Sequence, residues 1–322
     1  MQSLRKLLFP FSVLYDGVTR VRNWAFDKGY LMQHSFDIPI IAVGNLSTGG
    51  TGKTPMIEWL IEHHQGKRIA VLSRGYGRDT KGYIEINENH TAAQVGDEPL
   101  QIKLKYGDII TSAVCEKRVN GIEQLLKDHK LDVILLDDAF QHRYVKASHY
   151  ILLTSYDKLY SNDYLLPAGN LRESRKGANR AHTIVVTKCP DCISESEMKL
   201  ITKRLHPLSN QKVYFSTIVY DEKIYQSGKS MSLVHMRFNS VTAVTGIAKP
   251  APFINHLEKY FTVNHIEYSD HHRFRESEIK TIASHKVVVT TEKDFTRLSQ
   301  WKLQNVYYLP IKVKFKGDAP DL

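Results

Sequence analysis

The segment Val43-Gly44-Asn45-Leu46-Ser47-Thr48-Gly49-Gly50-Thr51-Gly52-Lys53-Thr54-Pro55 constrains this chain more than any other feature. An apolar run over 38–43 feeds a glycine-rich loop, the loop closes on Gly-Lys-Thr, and a helical pattern follows over 56–63. Glycines let successive backbone N–H groups turn toward phosphate oxygens, and the N-terminus of the following helix adds a favourable dipole. In that reading Ser47, Thr48, Gly49, Gly50, Thr51 and Gly52 form the cradle. Lys53 reaches the β- and γ-phosphates, and the Thr54 hydroxyl ligates Mg2+. Ser47 stands where the strict G-x-x-x-x-G-K-[ST] pattern has its first glycine, with Gly49 and Gly50 inside the loop instead. The expectation is a nucleoside triphosphate site.

Such a site needs an acid from a neighbouring strand for the magnesium shell. Val133-Ile134-Leu135-Leu136-Asp137-Asp138 supplies it, with Asp137 at the strand end as the direct candidate and Asp138 holding water or the second substrate. Further apolar runs at 68–73, 108–111, 150–154 and 183–187 alternate with helical stretches such as 117–129. That alternation predicts an α/β phosphate-loop core with a mainly parallel sheet; residues 82–87 read as a short edge or hairpin strand. Val186-Thr187-Lys188-Cys189-Pro190-Asp191 is near the [NT]-K-x-D loop of GTP-binding proteins, but Pro190 holds the place of the acid, so ATP is preferred. A single Cys189-x-x-Cys192 pair without a second argues against a metal or redox role.

The texture changes near residue 210. Extended segments at 212–220 and 223–226 with a turn at Asp221-Glu222 suggest a connecting hairpin. New strand and helix patterns follow at 241–245, 253–260, 263–268, 286–290 and 306–315. At 322 residues two domains fit, divided as 1–210 and a smaller α/β unit over 211–322. Lys+Arg 44 against Asp+Glu 34 leaves +10, which calls for an anionic partner. The basic residues are dispersed and no nucleic-acid reader motif appears, so that partner is not nucleic acid; no obligate protein partner is evident either. Three cysteines fit a reducing cytoplasm, and no apolar stretch is long enough to span a membrane. Leu4, Leu7, Leu8, Phe11, Leu14, Val18 and Val21 trace one helical face among Arg5, Lys6, Arg20, Arg22 and Lys28, while Pro10 breaks the pattern or starts a fresh helix. Two readings stay open for this helix: packed on the domain, or lying on an anionic membrane surface.

Several strings together resemble the tetraacyldisaccharide 4'-kinases, the lipid A 4'-kinases of Gram-negative bacteria. They are the phosphate loop from Asn45 to Pro55, Ser73-Arg74-Gly75-Tyr76-Gly77-Arg78, Gly96-Asp97-Glu98-Pro99 and Leu136-Asp137-Asp138-Ala139-Phe140-Gln141-His142. Pro167-Ala168-Gly169-Asn170-Leu171-Arg172-Glu173, Asp270-His271-His272 and Thr291-Glu292-Lys293-Asp294 complete the set, with Asn170 where many members have Pro. The resemblance implies ATP- and Mg2+-dependent phosphorylation of the 4'-hydroxyl of a lipid A disaccharide precursor. The enzyme would be cytoplasmic, peripheral on the inner face of the inner membrane, with two α/β domains joined by a strand linker.

The turn at Gly96-Asp97-Glu98-Pro99 offers a carboxylate suited to activating a hydroxyl, which a regulatory ATPase or GTPase would not need. Asp97 is therefore the expected catalytic base. By resemblance His271 is its partner, with His272 as fallback, and Arg172 faces the nucleotide phosphates or the transferring group. Arg74 and Arg78 are candidates for the acceptor's 1-phosphate.

Overall fold

The computed structural model describes residues 5–226, 229–236 and 238–322. Leu4 and the side chain of Lys6, both counted above in the N-terminal pattern, lie outside the described residues. In chain order the elements are α1 (Phe9–Asp27), β1 (Ile40–Asn45), α2 (Lys53–His63), β2 (Ile69–Ser73), β3 (Ile84–Glu85), α3 (Ala92–Val95), α4 (Asp97–Tyr106), β4 (Ile110–Val114), α5 (Arg118–Asp128) and β5 (Val133–Leu136). Then come β6 (His149–Ser155), β7 (Thr183–Thr187), α6 (Glu195–Leu205), β8 (Lys212–Tyr220), β9 (Lys223–Gln226), β10 (Lys229–Ser232) and β11 (Ser240–Thr245). The chain ends with α7 (Ala251–Leu257), β12 (Thr262–Glu267), α8 (Glu276–Ser284), β13 (Val288–Thr291), α9 (Glu292–Leu298), β14 (Val306–Leu309) and β15 (Ile311–Phe315).

A nine-stranded sheet runs in the order β15-β8-β7-β6-β1-β5-β2-β4-β3. Strands β1, β2, β5 and β7 are buried along their whole length, which is why they read as unbroken apolar runs. One face packs Val43 and Leu135 under Met56, Ile57 and Leu60 of α2. The other packs Ile40, Ile134 and Leu136 under Ile122 and Leu125 of α5. Strand β1 sits between β5 and β6, parallel to both, so the phosphate loop emerges beside the acids that follow β5. Gly44 makes that neighbourhood tight: a Cβ there would stand 2.6 Å from Phe140 Cβ and 2.8 Å from its backbone nitrogen.

The second sheet, β10-β9-β14-β13-β11-β12, has its own core around Phe253, Leu257 and Val241. The chain does not change sheets at 211. Strand β8 pairs in parallel with β7 and antiparallel with β15, so residues 212–220 belong to the larger sheet and form no hairpin with 223–226. The run at 306–315, read as one strand, is two. Pro310 has no N–H to continue a ladder, and the chain leaves β14 in the smaller sheet for β15 in the larger one. Both crossings are tied together, by the Asp221 N–H donating to Pro310 O (2.9 Å) and by a 2.7 Å Lys312–Asp221 ion pair.

Helix α1 packs with the opposite polarity to most surface helices. Pro10 lies in its first turn, where no donor is needed, so the helix is not interrupted. Ser12 and Phe26 are its buried residues, whereas Leu14, Val18 and Val21 are 70%, 64% and 66% exposed. The polar side faces the protein: Ser12 Oγ donates to Leu165 O (3.0 Å), Tyr15 Oη to Arg172 O (2.8 Å) and Asn23 Nδ2 to Glu173 Oε2 (3.2 Å). Among the described residues no helix is long and apolar enough to cross a membrane.

Gly44→Ala should cost about 1–3 kcal/mol, because Phe140 is held by backbone and cannot yield. A thermal melt checks this; an unchanged midpoint would contradict the tight packing.

Candidate active site

The phosphate loop is fixed from below by Asn45 at its entry and by groups from the later loops of the sheet. Buried Asn45 donates from Nδ2 to Thr51 Oγ1 (2.8 Å), and Thr187 Oγ1 donates to Thr51 O (2.8 Å). Lys188 Nζ donates to Gly50 O (2.6 Å), and the Thr48 N–H donates to Asn170 O (2.7 Å). Gly49 and Gly52 hold φ of +108° and +85°, the left-handed region that favours glycine, and a Cβ on Gly49 would point into open space. Lys53 then opens α2, with Thr54 buried behind it. Ser47, Thr48, Gly49, Gly50, Thr51, Gly52, Lys53 and Thr54 therefore form one continuous turn at the C-terminal edge of the sheet.

Asp137 and Asp138 face this turn in different ways. Asp137 is buried; Ser73 Oγ donates to its Oδ2 (3.2 Å), and its Oδ1 has no hydrogen-bond partner. Burial, together with the charge of Glu98 and against the attraction of Lys53, pushes its carboxyl up to about 7. An orphaned buried carboxylate oxygen beside a phosphate loop fits a Mg2+ shell, which Thr54 and Asp137 would hold. The ion, when bound, would neutralise phosphate charge. Asp138, at a φ of +47°, is engaged by cations instead. Arg172 reaches it through Nη2 (2.8 Å) and Nη1 (3.1 Å), and Lys53 Nζ lies 3.8 Å away. Burial raises that carboxyl, but the Arg172 hydrogen bonds and the Lys53 charge outweigh it and hold it below the ordinary range.

Arg172 also meets Asn45 O (3.1 Å) and the Asn45 side-chain oxygen, so its guanidinium bridges the strand end and the Asp138 carboxylate. Behind it Gln141 Nε2 donates to Asn45 O (2.7 Å) and to Glu173 Oε1 (3.0 Å), and Arg180 pairs with the same Glu173 oxygen at 2.9 Å. Asn45, Gln141 and Glu173 lie inside the quoted strings, yet nothing in their spacing marked them as supports. Of the anion candidates, Arg78 is spent on Glu116 (2.6 Å) and on Gly82 O (2.6 Å), while Arg74 stays exposed. Arg118 is deeply buried, donating to Asp137 O (3.0 Å) and Cys115 O (2.6 Å).

The second half of the site joins α4, packed on the larger sheet, to residues of the smaller sheet. Gly96-Asp97-Glu98-Pro99 is a helix start rather than a turn: Gly96 at φ +92° precedes α4, and Pro99 occupies its first turn. Asp97 Oδ2 accepts from Arg297 Nη2 (2.6 Å) and Nε (2.8 Å), two bonds across 200 residues of chain. His271 Nδ1 stands 3.4 Å from the same oxygen and 3.2 Å from Arg297 Nη2. Asp97 and His271 are thus neighbours, with Arg297 as a third member. That arginine was missed, although it lies three residues beyond Asp294 on the same helix and pairs with it at 3.0 Å. Asp294 in turn accepts from the Gly246 N–H (2.9 Å), which anchors the loop bearing His271. His272 is turned away, its Nε2 within 2.9 Å of Glu278.

A model of the family described as tetraacyldisaccharide-1-P 4'-kinase matches residues 4–322. The chain belongs to this family. It is 49% identical to a tetraacyldisaccharide 4'-kinase of Flavobacterium johnsoniae, over 98% of this chain and 94% of that one. It is 42% identical to one from Bacteroides thetaiotaomicron, over 99% and 91%. The crystal structure of LpxK from Aquifex aeolicus in complex with ATP superposes with a TM-score of 0.78 at 28% identity, covering 98% of this chain and 96% of that one. The α/β phosphate-loop fold and the ATP site stand on these matches together with the geometry. As a lipid A 4'-kinase the chain moves the γ-phosphate of ATP to a sugar hydroxyl, so its site must hold two anionic substrates at once.

Lys53→Ala and Thr54→Ala should each lower turnover by about 10²-fold or more, because each removes charge stabilisation at the transferring phosphate. Arg172→Lys should recover only part of the loss seen in Arg172→Ala, since an ammonium cannot bridge Asn45 and Asp138 as a guanidinium does. Steady-state kcat measures both, and full activity in Lys53→Ala would contradict the loop assignment.

Proposed function

We propose that Asp97 is the base of the 4'-kinase reaction. The attacking 4'-oxygen forms a bond to the γ-phosphorus, the bond from that phosphorus to the β–γ bridging oxygen breaks, and ADP leaves. The hydroxyl proton passes to the Asp97 carboxylate. Asp97 Oδ2 is oriented by Arg297, and His271 shares the resulting proton charge. The observation that carries this reading is the convergence of Asp97 at the start of α4 with His271 and Arg297 from the smaller sheet. At 3.4 Å the His271 contact is longer than a good hydrogen bond and acts as a charge contact. Lys53 and Arg172 take the transferring charge, Thr54 and Asp137 would hold Mg2+, and Asp138 keeps Lys53 and Arg172 in place.

The two sheets act as two α/β domains joined through β8 and β15, and the base group stands assembled where they meet. Asp97 takes its proton from the acceptor hydroxyl, so ATP turnover without acceptor is slow. Asp97→Ala and His271→Ala should each lower kcat strongly while ATP affinity persists, and the double variant should cost little more than the worse single one. Fully additive losses would break the pairing.

The acceptor carries acyl chains, and the outward apolar stripe of α1 is read here as resting on an anionic membrane surface at the cytoplasmic face of the inner membrane. Three observations support it: the exposure of Leu14, Val18 and Val21, the bonds that hold the helix by its polar side, and the +10 charge. Replacing Leu14, Val18 and Val21 by Gln should abolish co-sedimentation with anionic vesicles and leave the melting midpoint within about 2 °C, since all three residues are mostly exposed. Retained vesicle binding with lost stability would favour the packed-helix reading.

A further inference from the structure

Apart from the reacting groups, a second cluster of buried charges joins the two sheets among the described residues. Lys105 Nζ, near the end of α4, lies 2.6 Å from Glu58 Oε2 on α2 and 3.0 Å from Glu292 Oε1 on α9. All three side chains are at least 85% buried. Gln101, one turn before Lys105, donates from Nε2 to the other Glu58 oxygen (3.0 Å). The helices involved are those that carry the chemistry. Helix α2 begins with Lys53, α4 begins with Asp97, and α9 carries Arg297 near its end.

Helices α4 and α9 are therefore pinned at both ends: Asp97 at the start of α4 meets Arg297 late in α9, and Lys105 late in α4 meets Glu292 at the start of α9. Glu58 adds the third helix. Two carboxylates sharing one ammonium leave a negative excess, and burial, aided by the charge of Glu292 and opposed by Lys105 and Gln101, pushes Glu58 up to about 8. Lys105 and Gln101 both donate to Glu58, while Glu292, whose oxygens have no hydrogen-bond partner among the described residues, is held by the Lys105 ion pair.

We propose that Lys105 is a positioning residue for phosphoryl transfer, fixing the distance between the phosphate-loop lysine and the Asp97–Arg297–His271 group by holding α4 against both α2 and α9. The proposal rests on the reading of Asp97 as base, and it concerns how that base is held. A cluster that served stability alone would be replaceable by neutral groups of similar shape without loss of rate.

Lys105→Met alone leaves two buried carboxylates unpaired and can simply unfold the protein, so the decisive variant is the triple Glu58→Gln, Lys105→Met, Glu292→Gln. Melting midpoint, KM for ATP, KM for the acceptor and kcat are measured for it in the wild-type and Asp97→Asn backgrounds. The expected result is a folded protein whose kcat falls about tenfold or more with both KM values within about twofold, and a loss that largely vanishes once Asp97 is already Asn. Wild-type kcat in the folded triple overturns the proposal. So does an equal loss in the Asp97→Asn background, which would mean the cluster acts elsewhere, and so does failure of the triple to fold. The Asp97→Asn single variant reports separately on the base: if it keeps full kcat, the reading of Asp97 fails on its own.

Discussion

The ion pair between Asp97 and Arg297 is the interaction on which the rest of this structure depends. It joins the start of a helix on the nucleotide sheet to the end of a helix on the smaller sheet, and it does so with two short hydrogen bonds to one carboxylate oxygen. Arg297 is itself fixed by Asp294, which also holds the Gly246 N–H. Among the described residues the chain crosses between the sheets at Asp221 and Pro310, which are bonded to each other rather than to the site. Without side-chain pairs across the seam, little else would set the base against the phosphate loop.

Concentrated charge explains the chemistry of the nucleotide half. Lys53, Arg172 and the helix N-terminus gather positive potential at the loop, and Asp138 pairs with both cations. Asp137, deeply buried with one oxygen orphaned, is left poor in partners at the place where a divalent ion would be most useful. The acceptor half follows another logic. A helix attached by Ser12, Tyr15 and Asn23 presents its apolar residues outward beside the loop that carries Arg172. A lipid headgroup drawn from a bilayer would meet that loop without leaving the surface.

What the sequence revealed was local. The strand, the glycine loop, Lys53, Thr54 and Asp137 lie within short runs whose spacing reflects backbone geometry, and the structure brings them together as that spacing implied. The direction of the N-terminal apolar face was not readable, since periodicity says that a face exists but not what covers it. Arg297 and the Glu58–Lys105–Glu292 group were invisible for a different reason: their partners are 200 and 47 residues away, and no short pattern encodes them. The strand at 306–315 misled because a proline inside an extended run marks a change of sheet only once both ladders are known.

The proposal that Asp97 deprotonates the acceptor hydroxyl makes ATP turnover depend on the lipid acceptor. Its most direct test is to incubate the full chain with ATP and Mg2+, with and without tetraacyl-disaccharide 1-phosphate, following ADP release and acceptor mass together. The account predicts one added phosphate per ADP and near silence without acceptor. ADP release at the same rate in the absence of acceptor, or with no gain in acceptor mass, would contradict it.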